Sequence, residues 1–176
     1  MALVAAGSAF ALAGVGFGIA GWAGQRNAQA RWDQNEATQQ ATGANWSLRL
    51  AFPAQNKSFI VRDGATETNL LLGPARAEWS GVPGTVGNTI IAAHRDTHFR
   101  VLKDVRKNEV ISVRREDGRT FRYRIVKLQI VSAEDDEFYQ ATSRDVLTLV
   151  TCYPFYYLGP APKRFIVRAE LLDATS

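Results

Sequence analysis

Three side chains of complementary chemistry lie at the ends of predicted strands. Cys152, the only cysteine in the chain, ends the apolar run over residues 146–151, and His94 ends an earlier apolar run over residues 89–93. Arg164 begins a third run of alternating apolar residues. A thiol, an imidazole and a guanidinium together supply what acyl transfer needs: a nucleophile, a proton shuttle and a fixed positive charge for an oxyanion. We therefore predict that these three residues form one catalytic site.

The chemistry assigns a role to each of the three residues. Cys152 as a thiolate attacks a peptide carbonyl and forms a thioester. His94 protonates the leaving amine and later deprotonates the incoming nucleophile. Arg164 orients the carbonyl and stabilises the oxyanion, and its charge favours the thiolate. Arg164 lies in the opposite phase of its predicted strand from the more apolar set, so a substrate can reach it.

Four neighbouring residues are the predicted substrate contacts. Thr151 and Tyr153 flank the cysteine, Ala93 precedes the histidine, and His98 follows it in the next loop. Tyr153 begins an aromatic run over residues 153–157. This run either lines a pocket for an apolar substrate residue or caps the barrel.

A metal site is the alternative explanation for the two histidines. His94 and His98 are four positions apart, as in a zinc-binding helix, but Arg95 stands where the metalloprotease motif places glutamate. The β-branched run before His94 also predicts a strand and not a helix. We therefore expect no metal ligands here and no cofactor.

Composition limits the classes of protein that the chain can belong to. Its 176 residues, 46% of them hydrophobic and 22% charged, suffice for one globular domain with its own core. The net charge of +4 is not gathered in one block. Basic residues between positions 114 and 127 alternate with Phe121, Tyr123 and Ile125, which is typical of a strand with a solvated face. We therefore expect no nucleic-acid partner.

From about residue 47 onward, short alternating runs separated by turns predict an all-β domain. The predicted strands are Ser47–Ala51, Ser58–Arg62, Asn88–Ala93, Val110–Arg114, Thr120–Gln129, Val146–Thr151 and Arg164–Leu171. The segment Glu116-Asp117-Gly118 predicts a hairpin turn, and Phe99–Val105 predicts a helical turn. Many strands with little helix favour a closed or nearly closed β-barrel.

The N-terminal segment predicts a membrane anchor. Residues 2–24 carry no charge, and about 23 residues rising 1.5 Å each can cross a hydrocarbon core of about 30 Å. We predict a transmembrane anchor over residues 1–24, a polar juxtamembrane helix or spacer over residues 25–46, and a catalytic domain over residues 47–176. A cleaved signal peptide is the alternative. Arg26 and Arg31 follow the apolar segment and no basic residue precedes it, so the positive-inside tendency alone would place the domain in the cytoplasm.

Three motifs in the same order resemble those of the sortase family. The segment Thr148-Leu149-Val150-Thr151-Cys152 resembles the TLxTC signature of that family. Gly87-Asn88 leads to His94-Arg95-Asp96 as in sortases, and Arg164 stands between Ala161-Pro162-Lys163 and Phe165-Ile166-Val167 as in the arginine strand of the family. The similarity covers residues 46–176. Residues 94–99 and 152–155 are most similar to class D and related Gram-negative sortases.

This resemblance implies a fold, an activity and a location. The fold is a sortase-like eight-stranded β-barrel with short helical turns. The activity is that of a cysteine transpeptidase that cleaves a C-terminal LPxTG-like sorting signal and transfers the acyl fragment to an amine. The implied partners are proteins that carry the signal, an amine acceptor in the cell envelope or on a pilin lysine, and the membrane. The enzyme would be anchored by a single pass, with its catalytic domain on the extracytoplasmic side.

Two other functions remain open from the residues alone. A cysteine hydrolase would use water as the acceptor in place of an amine. A membrane-tethered β-domain that only binds envelope proteins would need neither the thiol nor the imidazole.

Overall fold

Strands form where β-branched and aromatic residues alternate with polar ones, and they close into a barrel. The computed structural model describes residues 19–34, 48–156 and 159–175. Within these ranges the strands are β1 Leu48–Phe52, β2 Lys57–Asp63, β3 Ala75–Arg76, β4 Gly87–Ala92, β5 Val110–Arg115, β6 Thr120–Ser132, β7 Asp145–Tyr153 and β8 Lys163–Thr175. Their order around the closed barrel is β1-β2-β3-β4-β7-β8-β6-β5.

The direction of three strands determines where the site forms. β4 and β7 are parallel neighbours, so both strands end at the same edge of the barrel. β8 runs antiparallel to β7 and therefore begins at that edge. The ends of β4 and β7 and the start of β8 lie together, although β5 and β6 separate β4 from β7 in the sequence.

Helical segments fill the connections of the described chain. Residues 19–34 form helix α1, and Glu67–Leu72 form helix α2, which is capped by the Thr66 hydroxyl accepting from the Asn69 amide at 3.2 Å. Short 3₁₀ helices span Pro53–Gln55, His98–Lys103 and Glu137–Tyr139. The last of these is named the 137–139 turn below.

Two apolar clusters lie on opposite faces of the sheet formed by β4, β7 and β8. The larger cluster fills the barrel and includes Ile91, Leu149 and Val167. The smaller cluster consists of Ala77, Ile90, Phe138, Val150 and Ile166, with Val131 packed against it. Because successive side chains of a strand alternate between faces, the smaller cluster covers the outer face of these three strands.

Helix α1 packs directly on the barrel. The Gln25 side chain donates to the carbonyl oxygen of Ile60 and accepts from the amide of the same residue, each at 2.9 Å, as a neighbouring strand would. Trp32 is buried, and Asp33 forms an ion pair with Arg49 at 2.8 Å. Residues 25–34 are therefore helical and attached to the barrel.

The prediction of an all-β barrel is confirmed, and the seven predicted strands correspond to seven of the eight observed. β3, with two residues, and α2, with six, are too short to show a periodic pattern and were not predicted. The helical turn predicted at Phe99–Val105 is the 3₁₀ helix His98–Lys103.

The N-terminal predictions fall mainly outside the described residues. Residues 1–18 of the predicted anchor and residues 35–46 of the predicted spacer are among those that the structure does not describe. Among the helices that it does describe, none combines the length and the apolar character that a bilayer crossing requires. The division at residues 24 and 46 stays a prediction.

Candidate active site

Cys152 and Arg164 lie opposite each other on neighbouring strands. The register of β7 and β8 pairs these two residues directly. Residues that oppose each other in an antiparallel pair have Cβ atoms about 4.5–5.5 Å apart and project to the same face. The strand pairing therefore places the first side-chain atoms of Cys152 and Arg164 next to each other.

The end of β4 brings His94 to the same place. Beyond the last pair, Ala92 with Val150, the Ala93 amide donates to the Val150 carbonyl at 3.3 Å. The Thr151 hydroxyl donates to the Ala93 carbonyl at 2.7 Å. His94 follows immediately, so it leaves β4 alongside Cys152. The structure brings all three predicted catalytic residues to one edge of the barrel.

The site opens on the outer face of the barrel. Val150 and Ile166 lie two residues from Cys152 and Arg164 respectively, on the same face, and belong to the smaller cluster. Cys152 is a free thiol and is partly exposed, and His94 is exposed. The thiol and the imidazole are therefore both accessible from solvent.

Backbone carbonyls brace the guanidinium of Arg164. Its Nη1 atom donates to the carbonyl oxygen of Ala161 at 3.1 Å and to that of Lys163 at 3.0 Å. Both acceptors lie in the segment that enters β8. These bonds fix one side of the planar group, so its charge is held at the start of β8.

The predicted substrate contacts occupy packing positions. The side chains of Thr151, Ala93 and His98 are buried. The Tyr153 ring lies 5.9 Å from that of Phe155 and 6.3 Å from that of Phe165, measured between centroids. Tyr153, Phe155 and Phe165 therefore pack against one another, whereas Tyr156 is exposed and Tyr157 lies outside the described residues. The roles of Thr151, Tyr153, Ala93 and His98 in substrate binding stay predictions.

His98 connects the active-site loop to helix α1. Its ring lies edge-on to Phe59, with centroids 5.8 Å apart. Burial is the main cause that lowers the pKa of His98, and the neighbouring His94 lowers it further, while a hydrogen bond to the Gly21 backbone and the charge of Asp96 oppose the shift. The ring is therefore packed between the barrel and the helix.

The sequence did not single out Tyr139, which lies near the site, or Trp79, which packs against it. Burial raises the pKa of Tyr139, the charge of Arg164 lowers it and that of Cys152 raises it, so the phenol lies within electrostatic reach of both. Trp79 meets Tyr139 edge-on with centroids 5.6 Å apart, and 67% of its surface is exposed. Single aromatic residues in loops carry no periodic signal, so the sequence alone could not have identified them.

A closed β-barrel with a cysteine, a histidine and an arginine at neighbouring strand ends defines a class of thiol-dependent enzymes. The model of the sortase domain family matches residues 50–172 of the chain. The chain therefore belongs to the sortase family, as its motifs predicted.

Individual relatives agree with this assignment. Sortase D of Bacillus subtilis is 33% identical over 119 residues, which are 67% of this chain and 60% of that protein. The chain thus spans about 60% of the length of that curated relative. Sortase A from Corynebacterium diphtheriae superposes with a TM-score of 0.65 at 25% identity, covering 72% of this chain and 60% of that one.

A sortase D5 transpeptidase from Clostridium perfringens matches over a longer range. It has a TM-score of 0.69 at 19% identity, covering 88% of this chain and 99% of that one. At this identity the likeness establishes the fold alone. The prediction of a sortase-like eight-stranded barrel is confirmed.

Proposed function

We propose that this domain is a cysteine transpeptidase that acts through a thioester on Cys152. The observation that carries the proposal is the direct pairing of Cys152 with Arg164, with His94 leaving the parallel neighbouring strand beside them. A nucleophile, an acid–base group and a fixed cation at one accessible edge are what acyl transfer requires.

The reaction proceeds in two balanced steps. The Cys152 sulfur bonds to the carbonyl carbon of the substrate, the C–N bond breaks, and His94 gives a proton to the leaving amine. An incoming amine then bonds to the same carbon, the C–S bond breaks, and His94 takes the proton of the amine. Arg164 balances the negative charge on the carbonyl oxygen in both tetrahedral intermediates.

The substrate is a protein with a C-terminal sorting signal of the LPxTG kind, and the acceptor is an amine of the envelope or of a pilin lysine. This part of the proposal is supported by the TLxTC-like segment and by the histidine and arginine motifs in the sequence. Anchoring by residues 1–24, with the domain on the extracytoplasmic side, belongs to the same proposal and has the same support.

The surroundings of His94 suit a second, incoming nucleophile. His94 lines a pocket together with Leu71, Asp96 and Thr97. A nucleophile in this pocket can therefore reach the group that takes its proton. Water would fit as well as an amine, so hydrolysis is the competing reaction that the experiment has to separate.

The decisive experiment compares the wild type with Cys152→Ala. Each protein is incubated with a peptide that carries an LPxTG-like motif, with and without a primary amine, and both protein and peptides are measured by mass spectrometry. We expect an acyl adduct and an amine-ligated product from the wild type, and neither from Cys152→Ala. Turnover by Cys152→Ala would refute thioester catalysis, and a product that is only hydrolysed in the presence of amine would make the protein a hydrolase.

A further inference from the structure

We propose that Asn88 and Thr148 are positioning residues that fasten the 137–139 turn to the outer face of the barrel, so that Tyr139 forms a wall of the substrate site beside Cys152. The proposal rests on the transpeptidase function proposed above. Neither residue touches the reacting atoms, because both lie lower on the strands than His94 and Cys152.

A chain of buried hydrogen bonds runs from β7 to the 137–139 turn. The Thr148 hydroxyl donates to Asn88 Oδ1 at 2.6 Å. Asn88 Nδ2 in turn donates to the carbonyl oxygens of Phe138 at 2.9 Å and Gln140 at 3.0 Å. Both polar side chains are almost fully buried. By occupying Oδ1, the hydroxyl fixes the orientation of the amide, so that its NH₂ group faces the turn.

The two carbonyls that Asn88 holds are those on either side of Tyr139. Phe138 is buried in the smaller cluster with Val150 and Ile166. The turn is thus fixed twice, by a polar clamp on its backbone and by an apolar side chain against the sheet. Tyr139 has little freedom to move relative to the strands that carry the thiol and the guanidinium.

The clamp holds the turn on the face of β7 that carries Cys152. Thr148, Val150 and Cys152 project from the same face of β7, in that order toward the catalytic edge. Asn88 binds the turn next to Thr148. Phe138 packs against Val150, which is two residues closer to Cys152 along β7. Tyr139 is the next residue of the turn, and the opposite effects of Cys152 and Arg164 on its pKa agree with this placement.

Trp79 stands on a second segment of backbone that is braced independently. The Arg76 guanidinium, itself buried, donates from Nη1 to the Ser80 carbonyl at 2.7 Å and to the Gly81 carbonyl at 3.2 Å. Its Nη2 atom forms an ion pair with Asp63 at 2.6 Å. Two separately fixed segments therefore present the Trp79–Tyr139 pair, which is the arrangement of a preformed wall and not of a mobile loop.

A buried polar pair at this place calls for an explanation beyond stability. Thr148 and Asn88 lie directly below the apolar residues Ile90, Val150 and Ile166. Burying polar groups costs free energy that the hydrogen bonds only offset, whereas an apolar pair would pack there without that cost. What the polar pair provides and an apolar pair cannot is a directional hold on the two carbonyls.

The test replaces Thr148 by valine and compares it with a matched control. Thr148→Val removes the hydroxyl and keeps the shape. Thr89→Val is the control, because Thr89 on β4 is also fully buried, while its hydroxyl has no hydrogen-bond partner among the described residues. Thr148→Ser keeps the hydroxyl, and we expect it to behave as the wild type.

Three measurements are made on each protein: hydrogen exchange of the amides of residues 137–140, kcat/KM with the sorting-signal peptide, and the rate of Cys152 alkylation by iodoacetamide. For Thr148→Val we expect exchange about tenfold faster and kcat/KM about tenfold lower, because a small displacement of a positioned group is costly. Alkylation stays at the wild-type rate, since the small reagent does not need the wall. Thr89→Val changes none of the three.

The exchange and kinetic results test different parts of the proposal. Unchanged exchange in Thr148→Val shows that the clamp does not hold the turn, and unchanged kcat/KM with faster exchange shows that holding the turn has only a structural role. Either result overturns the proposal. If Thr148→Val does not fold, Tyr139→Ala must lower kcat/KM about tenfold with normal alkylation. A wild type that cleaves no peptide contradicts the proposed function instead, and the exchange result still decides whether the clamp exists.

Discussion

At the scale of single residues, the proposed mechanism depends on how Arg164 differs from a simple positive charge. Its Nη1 atom is held by two backbone carbonyls, so the plane of the guanidinium is fixed before substrate arrives. A fixed donor needs no reorganisation when negative charge develops on the carbonyl oxygen. A lysine at this position would keep the charge and lose the fixed geometry.

We expect Arg164→Lys to lower kcat about a hundredfold with little effect on the fold, as loss of an oxyanion donor does. The measurement is steady-state kinetics with the peptide and amine described above, together with thermal unfolding. Arg168→Lys is the control, because Arg168 lies on the same strand and face but pairs with Thr148 instead of Cys152. A kcat for Arg164→Lys within a few-fold of the control would mean that the guanidinium geometry is not used.

At the scale of elements, helix α1 contacts the barrel through its glycines. A Cβ atom added at Gly24 would lie 2.9 Å from Leu72 Cδ2 and 3.0 Å from the Leu72 carbonyl oxygen. One added at Gly21 would lie 3.1 Å from His98 Cε1. These close approaches, with the Gln25 bonds to Ile60, attach the helix to β2, α2 and the loop after His94.

Gly24→Ala tests the contact of helix α1 with Leu72, because the change in unfolding free energy has opposite signs in a free helix and in a docked one. In a free helix this change is stabilising by about 1 kcal/mol, because glycine is a poor helix former. Here we expect a loss of about 1–2 kcal/mol in the free energy of unfolding, because the added methyl overpacks the contact with Leu72. Asn27→Ala, at an exposed position of the same helix, should show the small gain instead. Urea unfolding measures both, and a gain for Gly24→Ala would show that the helix does not dock as described.

The same contact predicts a dependence of stability on pH. Because burial lowers the pKa of His98 below its ordinary value of 6.5, the unfolded chain binds a proton more readily than the folded one. The contribution of His98 to the free energy of unfolding is therefore fully present above pH 6.5. It is lost as the pH falls through 6.5 toward the lowered pKa of His98 in the folded protein.

The chain has two histidines, so each can be replaced in turn. We expect His98→Gln to flatten the loss of unfolding free energy measured between about pH 8 and pH 5, and His94→Gln to retain it. If the two variants show the same slope, His98 is not the source of the effect.

At the scale of the whole molecule, a polar lock joins distant segments at the end of the barrel away from the site. The Tyr123 hydroxyl donates to Asp145 Oδ1 at 2.9 Å, and the Gly84 amide donates to Asp145 Oδ2 at 2.8 Å. The pair connects β6, the start of β7 and the turn before β4. Burial raises the pKa values of both Tyr123 and Asp145.

Tyr123→Phe should destabilise the barrel without altering catalysis. It leaves a buried carboxylate short of one donor, which costs about 1–3 kcal/mol. Asp145 begins β7 and Cys152 lies near its end, about 20 Å away at the usual rise of a strand, so kcat/KM should stay at the wild-type value. Tyr156→Phe at an exposed position is the stability control. Denaturant unfolding measures the loss of stability, and peptide turnover measures kcat/KM. If kcat/KM falls together with stability, the polar lock is not independent of the active site.

The sequence by itself determined the strands and the chemical inventory. Alternation with period two predicted seven strands and placed Arg164 on the face opposite Val167, because that pattern is local and survives in the fold. The motifs around Cys152, His94 and Arg164 predicted the sortase family. β3 and α2 escaped prediction because a few residues cannot display a period.

The tertiary structure alone decided which distant segments meet. The parallel pairing of β4 with β7 brings His94 and Cys152 to one edge, and Asn88, held by Thr148, binds the carbonyls on either side of Tyr139. Thr151, a residue of the recognised motif, uses its hydroxyl to join the two strands. These contacts cross 50 or more positions of the chain. Local patterns carry no information at that separation, because such contacts follow from closure of the barrel and packing of its loops.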